Sequence, residues 1–156
     1  MFRKTCLSAF LGLIFAILLA LPLNAEEHKR DFPPQAILVA SYCGDVGMVS
    51  EILAAGADKD ARDSLGATAL HAAMYQKNLM VVKLLLDNGF DPNARDTLHG
   101  YTPLHDAVVA DNPEAAWLLI QYRADDTIKS LDGLTPLAKA RQDEKRALVN
   151  VLSRLR

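Results

Sequence analysis

The sequence predicts an all-α protein, a solenoid of about four helix-turn-helix units with projecting β-turn fingers. One motif recurs in phase, as GATALHAAM from Gly66, GYTPLHDAV from Gly100 and GLTPLAKAR from Gly133. A second, turn-forming segment recurs between these copies, as LAAGADKDARD, LDNGFDPNARD and IQYRADDTIKS. Because two independent motifs repeat with the same period, the pattern indicates a stacked repeat array.

Each unit is predicted to contain two short helices. In the third unit, Thr102 is suited to cap a helix that Pro103 begins, because proline at the first helical position loses no hydrogen bond. Leu104 and Ala107 then fall on one face of that helix. The second helix is PEAAWLLIQ from Pro113, and the apolar runs VSEILA and VVKLLL mark its equivalents in earlier units.

The segments after the second helices predict tight turns. Gly56 and Gly89 stand where a helix end needs a left-handed residue, and Arg123 replaces glycine at the matching place. This replacement should cost about 1 kcal/mol. Several aspartates recur periodically in these turns, which indicates turn formers and caps rather than a carboxylate site. They are Asp58, Asp60, Asp63, Asp91 and Asp96.

These motifs resemble the ankyrin repeat family, whose unit has about 33 residues and a T-P-L-H-x-A core. The resemblance implies that His71 and His105 are structural, with ring nitrogens that bridge backbone groups of neighbouring turns. Ala138 takes this position in the last unit, which we expect to act as a polar cap. The resemblance covers residues 34–156, in units at about 34–65, 66–99, 100–132 and 133–156.

The N-terminus predicts a secretory signal peptide over residues 1–25, followed by a flexible linker over residues 26–33. Arg3 and Lys4 precede the uncharged run LSAFLGLIFAILLAL, and Ala25 is a small residue at the expected cleavage site. We therefore expect a periplasmic or secreted protein of bacterial type. The alternative is an uncleaved helix that anchors the chain in the inner membrane, facing the periplasm.

Composition and motifs argue against several function classes. The formal net charge of −2 does not predict nucleic-acid binding, which needs a concentrated basic face. No nucleophile elbow, phosphate-binding glycine loop or H-E-x-x-H motif occurs, so we expect no enzyme and no cofactor. An exposed His99 without a second ligand nearby does not predict a metal site.

Cys43 leaves an alternative open. Signal cleavage would remove Cys6 and leave Cys43 without an intramolecular partner, as a buried residue, a reactive thiol or an intermolecular link. Some small bacterial envelope proteins of the resembled family are associated with oxidative-stress defence, which suggests a redox role. The position of Cys43 at a helix C-terminus argues against strong activation, since the helix dipole there raises a thiol pKa.

The resemblance favours a monomeric, non-catalytic module that binds an unknown protein partner through finger tips and the exposed side of the first helices. One extra residue in TLHG places His99 and Tyr101 at an enlarged, exposed turn tip. The leucines of the fingers form an apolar fringe or pack between fingers, and both readings stay open. The candidates are Tyr42, Ser64, Leu65, Tyr75, Gln76, Thr97, Leu98, His99, Tyr101, Val109, Leu131, Asp132 and Leu134.

Overall fold

The computed structural model describes residues 32–154 of the chain. These residues belong to the second of two compact units, Asp31–Arg156. The predicted signal peptide, its alternative as a membrane anchor and residues 26–31 of the predicted linker lie outside the described residues. Within residues 32–154, no helix is long and apolar enough to cross a membrane.

The described residues form eight α-helices and no strand, which confirms the predicted all-α solenoid. The first helices of successive units pack in one layer and the second helices in another. The first helices are α1 (Ala36–Cys43), α3 (Ala69–Ala73), α5 (Pro103–Val109) and α7 (Pro136–Gln142). The second helices are α2 (Val46–Ala54), α4 (Leu79–Asp87), α6 (Pro113–Gln121) and α8 (Arg146–Ser153).

The core lies between the two layers and runs the length of the stack. Leu70 and Leu104 of the first helices and Leu85 and Leu119 of the second helices are fully buried. Ala107 is also fully buried, and its small side chain allows the paired helix to approach closely. Because each unit buries its apolar face only against its neighbours, the stacked units stabilise one another.

Polar side chains mark the starts of the second helices. Asp45 accepts a hydrogen bond from the Met48 N–H at 3.0 Å, and Asn112 accepts one from the Ala115 N–H at 3.1 Å. These bonds satisfy amide groups that a helix start leaves without a partner. The side chain of Asn112 also donates to the carbonyl of Met74 at 3.0 Å, so this cap ties one unit to the unit before it.

The structure confirms a left-handed backbone at the three predicted helix ends. The φ angles are 88° at Gly56, 79° at Gly89 and 64° at Arg123. A Cβ atom crowds the backbone in this conformation, so Arg123 stores strain that its glycine equivalents avoid.

Replacing Arg123 with glycine is therefore expected to raise the free energy of unfolding by about 0.5–1 kcal/mol, measured by urea denaturation. The matched control is Arg141→Gly, at an exposed position inside α7. There the same change should destabilise by about 1 kcal/mol, because glycine lowers helix propensity. Equal losses from both variants would contradict the strain at Arg123.

Candidate partner-binding groove

Aspartate side chains build the fingers that project between units. The Asp63 carboxylate accepts hydrogen bonds from the N–H groups of Leu65 at 2.8 Å and Ala67 at 2.9 Å. The Asp96 carboxylate accepts bonds from the N–H groups of His99 at 2.8 Å and Tyr101 at 3.3 Å. The N–H groups that bond Asp96 are each one residue further from the aspartate than those that bond Asp63. This difference is the extra residue predicted from TLHG.

The turn-former interpretation of Asp58 and Asp91 is confirmed in the same way. Asp58 accepts from the Asp60 N–H at 2.9 Å, and Asp91 accepts from the Asn93 N–H at 2.8 Å. Each carboxylate thus bonds the backbone two residues further along, as in an Asx turn. These side chains hold the turns and do not converge on a shared site.

Neighbouring fingers are tied to each other by backbone and hydroxyl groups. The Thr97 N–H and hydroxyl both donate to the Leu65 carbonyl, at 2.9 and 2.8 Å. The Leu131 N–H donates to the His99 carbonyl at 2.8 Å. The hydroxyl and N–H of Thr97, a predicted contact residue, therefore hold one finger against the next.

Two arginines at equivalent positions reinforce the row of fingers. The Arg62 guanidinium donates to the carbonyls of Gly66 at 2.8 Å and Arg95 at 2.9 Å. The Arg95 guanidinium donates in turn to the carbonyls of Gly100 at 3.2 Å and Lys129 at 3.0 Å. Each arginine thus bridges its own finger to the following one, so the fingers form a connected wall.

His71 is held as the resemblance implied. Its Nε2 lies 3.0 Å from the carbonyl of Tyr101 in the next unit, and its Nδ1 accepts the Thr68 N–H at 3.1 Å. Since a carbonyl only accepts, Nε2 carries the proton and the ring is in its neutral form. Burial is the main cause that lowers the pKa of His71, which also favours the neutral ring.

His105 repeats this arrangement. Its Nε2 donates to the Leu134 carbonyl at 3.0 Å, its Nδ1 accepts the Thr102 N–H at 3.3 Å, and burial lowers its pKa. The last unit lacks the histidine, and there the Thr135 hydroxyl accepts the Ala138 N–H directly at 3.2 Å. The predicted structural role of both histidines is confirmed.

A groove of about 500 Å³ runs along the side of the first helices, below the fingers. Tyr42, in the last turn of α1, and Tyr75, two residues after the end of α3, hold equivalent positions in successive units. They expose 54% and 48% of their surface. The fingers supply leucine side chains to the same groove. The predicted contact residues that line it are Tyr42, Leu65, Tyr75, Leu98, His99, Tyr101 and Val109.

The structure places the other predicted contact residues outside the groove lining. Gln76 donates through its amide to the carbonyl of Tyr42, so it links the first helices. Asp132 accepts a hydrogen bond from the Ser130 hydroxyl within its own finger. Leu131 is 70% exposed on the last finger, so it packs against little in the described structure. The residues in this set are Ser64, Gln76, Thr97, Leu131, Asp132 and Leu134.

Tyr101 differs from its predicted position at an exposed turn tip. It is half-buried, and its ring stacks with two histidine rings. The ring centroids of His99 and Tyr101 are 4.9 Å apart, and those of Tyr101 and His105 are 5.2 Å apart with 5° between the planes. His99 does remain exposed, with its Nδ1 4.0 Å from an oxygen of Asp96. The stack therefore connects an exposed finger residue to a buried histidine.

Sequence reasoning missed several residues of the groove lining, and Val39 and Asp106 are the two of these with the clearest helical signal. Each stands three residues before a predicted groove residue, Tyr42 or Val109, and so lies one helical turn away on the same face. The helical period was the signal that could have identified both. Val39 is 40% exposed and adds an apolar surface beside Tyr42.

Asp106 is the unexpected polar group of this site. It is 7% exposed, and its Oδ1 lies 3.4 Å from the Tyr75 hydroxyl, which donates to it. Burial, followed by the nearby negative charge of Asp96, raises the pKa of Asp106 to about 7. Burial and the charge of Asp106 in turn raise the pKa of Tyr75 to about 12. Asp106 therefore titrates near neutral pH at the base of the groove.

Cys43 lies partly buried at the C-terminal end of α1, away from the groove lining. Residues 32–154 contain no free cysteine, so the redox hypothesis for a reactive thiol gains no support from them. In the same part of the chain, no group of three or more histidine, cysteine or acidic side chains is placed to hold a metal ion.

Comparison with known proteins agrees with the repeat architecture. A family model described as "Ankyrin repeats (3 copies)" matches residues 11–96 and 37–130. The chain is 40% identical over 99 residues to human "BCL-6 corepressor-like protein 1", which covers 63% of this chain and 6% of that protein. It is 38% identical over 99 residues to "Ankyrin repeat-containing protein P1E11.10" of Schizosaccharomyces pombe, which covers 63% of this chain and 46% of that protein.

A longer match extends to the bovine "Mitochondrial disaggregase", at 28% identity over 166 residues, which covers 84% of this chain and 24% of that protein. In all three relatives the matched region is less than half of the protein's length. The similarity therefore concerns the repeat array and not the whole of these larger proteins.

Proposed function

The chain belongs to the ankyrin repeat family, and on this premise we propose that it is a non-catalytic module that binds a protein partner in the groove described above. Ankyrin repeats generally mediate protein–protein interactions and are typically not catalytic. The partner segment would lie along the exposed rings of Tyr42 and Tyr75, with the finger leucines on its other side.

The observation that carries this proposal is the set of exposed apolar and aromatic side chains that converge on one groove. Tyr42, Tyr75, Leu65 and Leu98 each expose about half of their surface there. Contiguous exposed apolar surface of this kind marks an interaction site on a soluble domain. Tyrosine is also enriched in binding hot spots, because it combines apolar area with a hydroxyl group.

We further propose that the module acts in the cell envelope, in the periplasm or outside the cell. The basis is the sequence of residues 1–25, with its basic start, apolar run and small residue at Ala25. The alternative is an uncleaved inner-membrane anchor. The intact mass of the protein recovered from envelope fractions decides between them, since cleavage would remove these 25 residues.

Crosslinking of the full-length protein in its own cells, followed by affinity capture, tests the interaction. The double variant Tyr42→Ala, Tyr75→Ala should capture at least tenfold less of the partner than the wild type does, because hot-spot tyrosines each contribute about 1–2 kcal/mol of binding free energy. Quantitative mass spectrometry of the captured proteins measures this loss.

The matched control is Trp117→Ala. Trp117 is an equally exposed aromatic residue, at 54%, but it stands on α6 in the other layer and does not line the groove. This variant should capture the partner at wild-type yield. If the tyrosine double variant keeps the partner, or if the Trp117 variant loses it, the proposed binding face is wrong.

A further inference from the structure

Among residues 32–154, the aspartates, lysines and arginines that line the groove are all of one sign. Asp63, Asp96 and Asp106 belong to the lining, and no lysine or arginine of these residues does. The lining also contains His71, which burial and its hydrogen bonds keep neutral, and His99, whose Nδ1 lies 4.0 Å from an Asp96 oxygen. A positively charged ligand group would therefore meet carboxylates in this groove and no lysine or arginine from the described part of the chain.

Two of these carboxyl groups repel each other. Asp96 and Asp106 line the same groove, and the negative charge of Asp96 is one of the causes that raise the pKa of Asp106. Asp96 uses Oδ1 for the turn, while its Oδ2 has His99 at 4.0 Å. Asp106 has the weak Tyr75 hydrogen bond at 3.4 Å. A cation placed between Asp96 and Asp106 would remove their repulsion and supply the hydrogen bonds that a buried carboxylate needs.

The remaining walls of the groove suit the stem of a long cationic side chain. The half-exposed side chains of Tyr42 and Tyr75 line the groove, and aromatic rings attract cations and guanidinium groups. Leu65 and Leu98 offer apolar surface to methylene groups. An acidic side chain would be repelled by the carboxylates, and a neutral one would leave them without a counter-charge.

We infer that the groove recognises an arginine or lysine side chain of the partner, flanked by apolar residues, with Asp106 and Asp96 as the carboxylates that receive its charge. This inference rests on the proposed function and adds the chemistry of the occupant. Arginine fits best, because its planar guanidinium donates to two carboxylates at once and stacks on tyrosine rings.

A peptide that binds the protein is needed as the probe. It is selected from a random library of twelve-residue peptides, displayed on phage, with the full chain as the target. The expected result is enrichment of peptides with one arginine or lysine beside apolar residues. A selected peptide is then synthesised with a fluorescent label, together with a copy in which citrulline or glutamine replaces the cationic residue. Fluorescence anisotropy measures the affinity of both peptides.

On the wild-type protein, removing the peptide charge should weaken binding at least tenfold. On Asp106→Asn, which keeps the shape of the side chain, the same change in the peptide should weaken binding less than threefold. Asp60→Asn is the matched control, since Asp60 is exposed and outside the groove, and it should behave as the wild type does.

The outcomes separate this inference from the proposed function. If the selected peptides bind through Tyr42 and Tyr75 but carry no cationic residue, the inference is overturned and the binding groove stands. The same conclusion follows if removing the peptide charge still weakens binding tenfold on Asp106→Asn. If the double variant Tyr42→Ala, Tyr75→Ala binds all selected peptides as the wild type does, both are overturned.

Discussion

Replacing His105 with alanine is expected to lower the free energy of unfolding by about 3 kcal/mol. The ring is fully buried and bridges the Leu134 carbonyl of the next unit and the Thr102 N–H of its own. Alanine would leave both backbone groups without their partner and open a cavity beside the Tyr101 ring. Urea denaturation, monitored by circular dichroism, measures this change in the free energy of unfolding.

His99→Ala is the matched control, because His99 also stacks with Tyr101 but is exposed. It should change the free energy of unfolding by less than about 0.5 kcal/mol, as surface substitutions do. A loss below about 1 kcal/mol in His105→Ala would show that the bridge between units contributes little. A similar loss in both variants would assign the effect to the ring stack.

Replacing Asp106 with asparagine is expected to stabilise the protein at high pH. The pKa of Asp106 is raised from 3.8 to about 7, so the folded state holds this proton more tightly than the unfolded state does. The stability that this proton contributes is complete below pH 3.8 and is lost as the pH rises to 7. The shift corresponds to about 4 kcal/mol at most, and water that enters the groove will reduce this figure.

Urea denaturation of both proteins at pH 5 and pH 8 measures the effect. The stability of Asp106→Asn relative to the wild type should increase by about 2 kcal/mol between these values. The titratable groups near Asp106 are Asp96 and Tyr75. On α7 the residue equivalent to Asp106 is Lys139, whose amine donates a hydrogen bond to Asp143.

These groups, like the buried histidines, are present in both proteins, so their own titration largely cancels from the comparison. The control Asp60→Asn should show the same difference from the wild type at both pH values. A constant difference for Asp106→Asn would contradict a titration of Asp106 near neutral pH.

Much of the fold follows from local rules that the sequence displays. Threonine and proline start the first helices at Pro103 and Pro136, and left-handed residues end the second helices at Gly56, Gly89 and Arg123. The histidine bridges could also be predicted, because the resemblance to the ankyrin repeat family implies them and the same residue recurs at the same place in two units. Repetition is informative here, since each unit meets the same neighbouring surface.

The groove was less predictable than the scaffold. Tyr42, Tyr75 and Val109 could be assigned to it because they hold the same repeat position in successive units. Tyr101 was expected at an exposed tip, but the rings of His99 and His105 enclose it. Its burial depends on groups that come together only when the fingers stack, so its own position in the repeat did not reveal it.

By itself, the sequence determined the repeat period, the helix ends and the bridging histidines, because these depend on residues close together in the chain or on exact repetition. Tertiary structure alone decided the environment of Asp106. Its register position is occupied by Ala72 and Lys139 in neighbouring units, so repetition gave no guidance. The packing of two neighbouring units buries Asp106 beside Tyr75 and near Asp96. Burial first, and the negative charge of Asp96 second, raise the pKa of this aspartate to about 7.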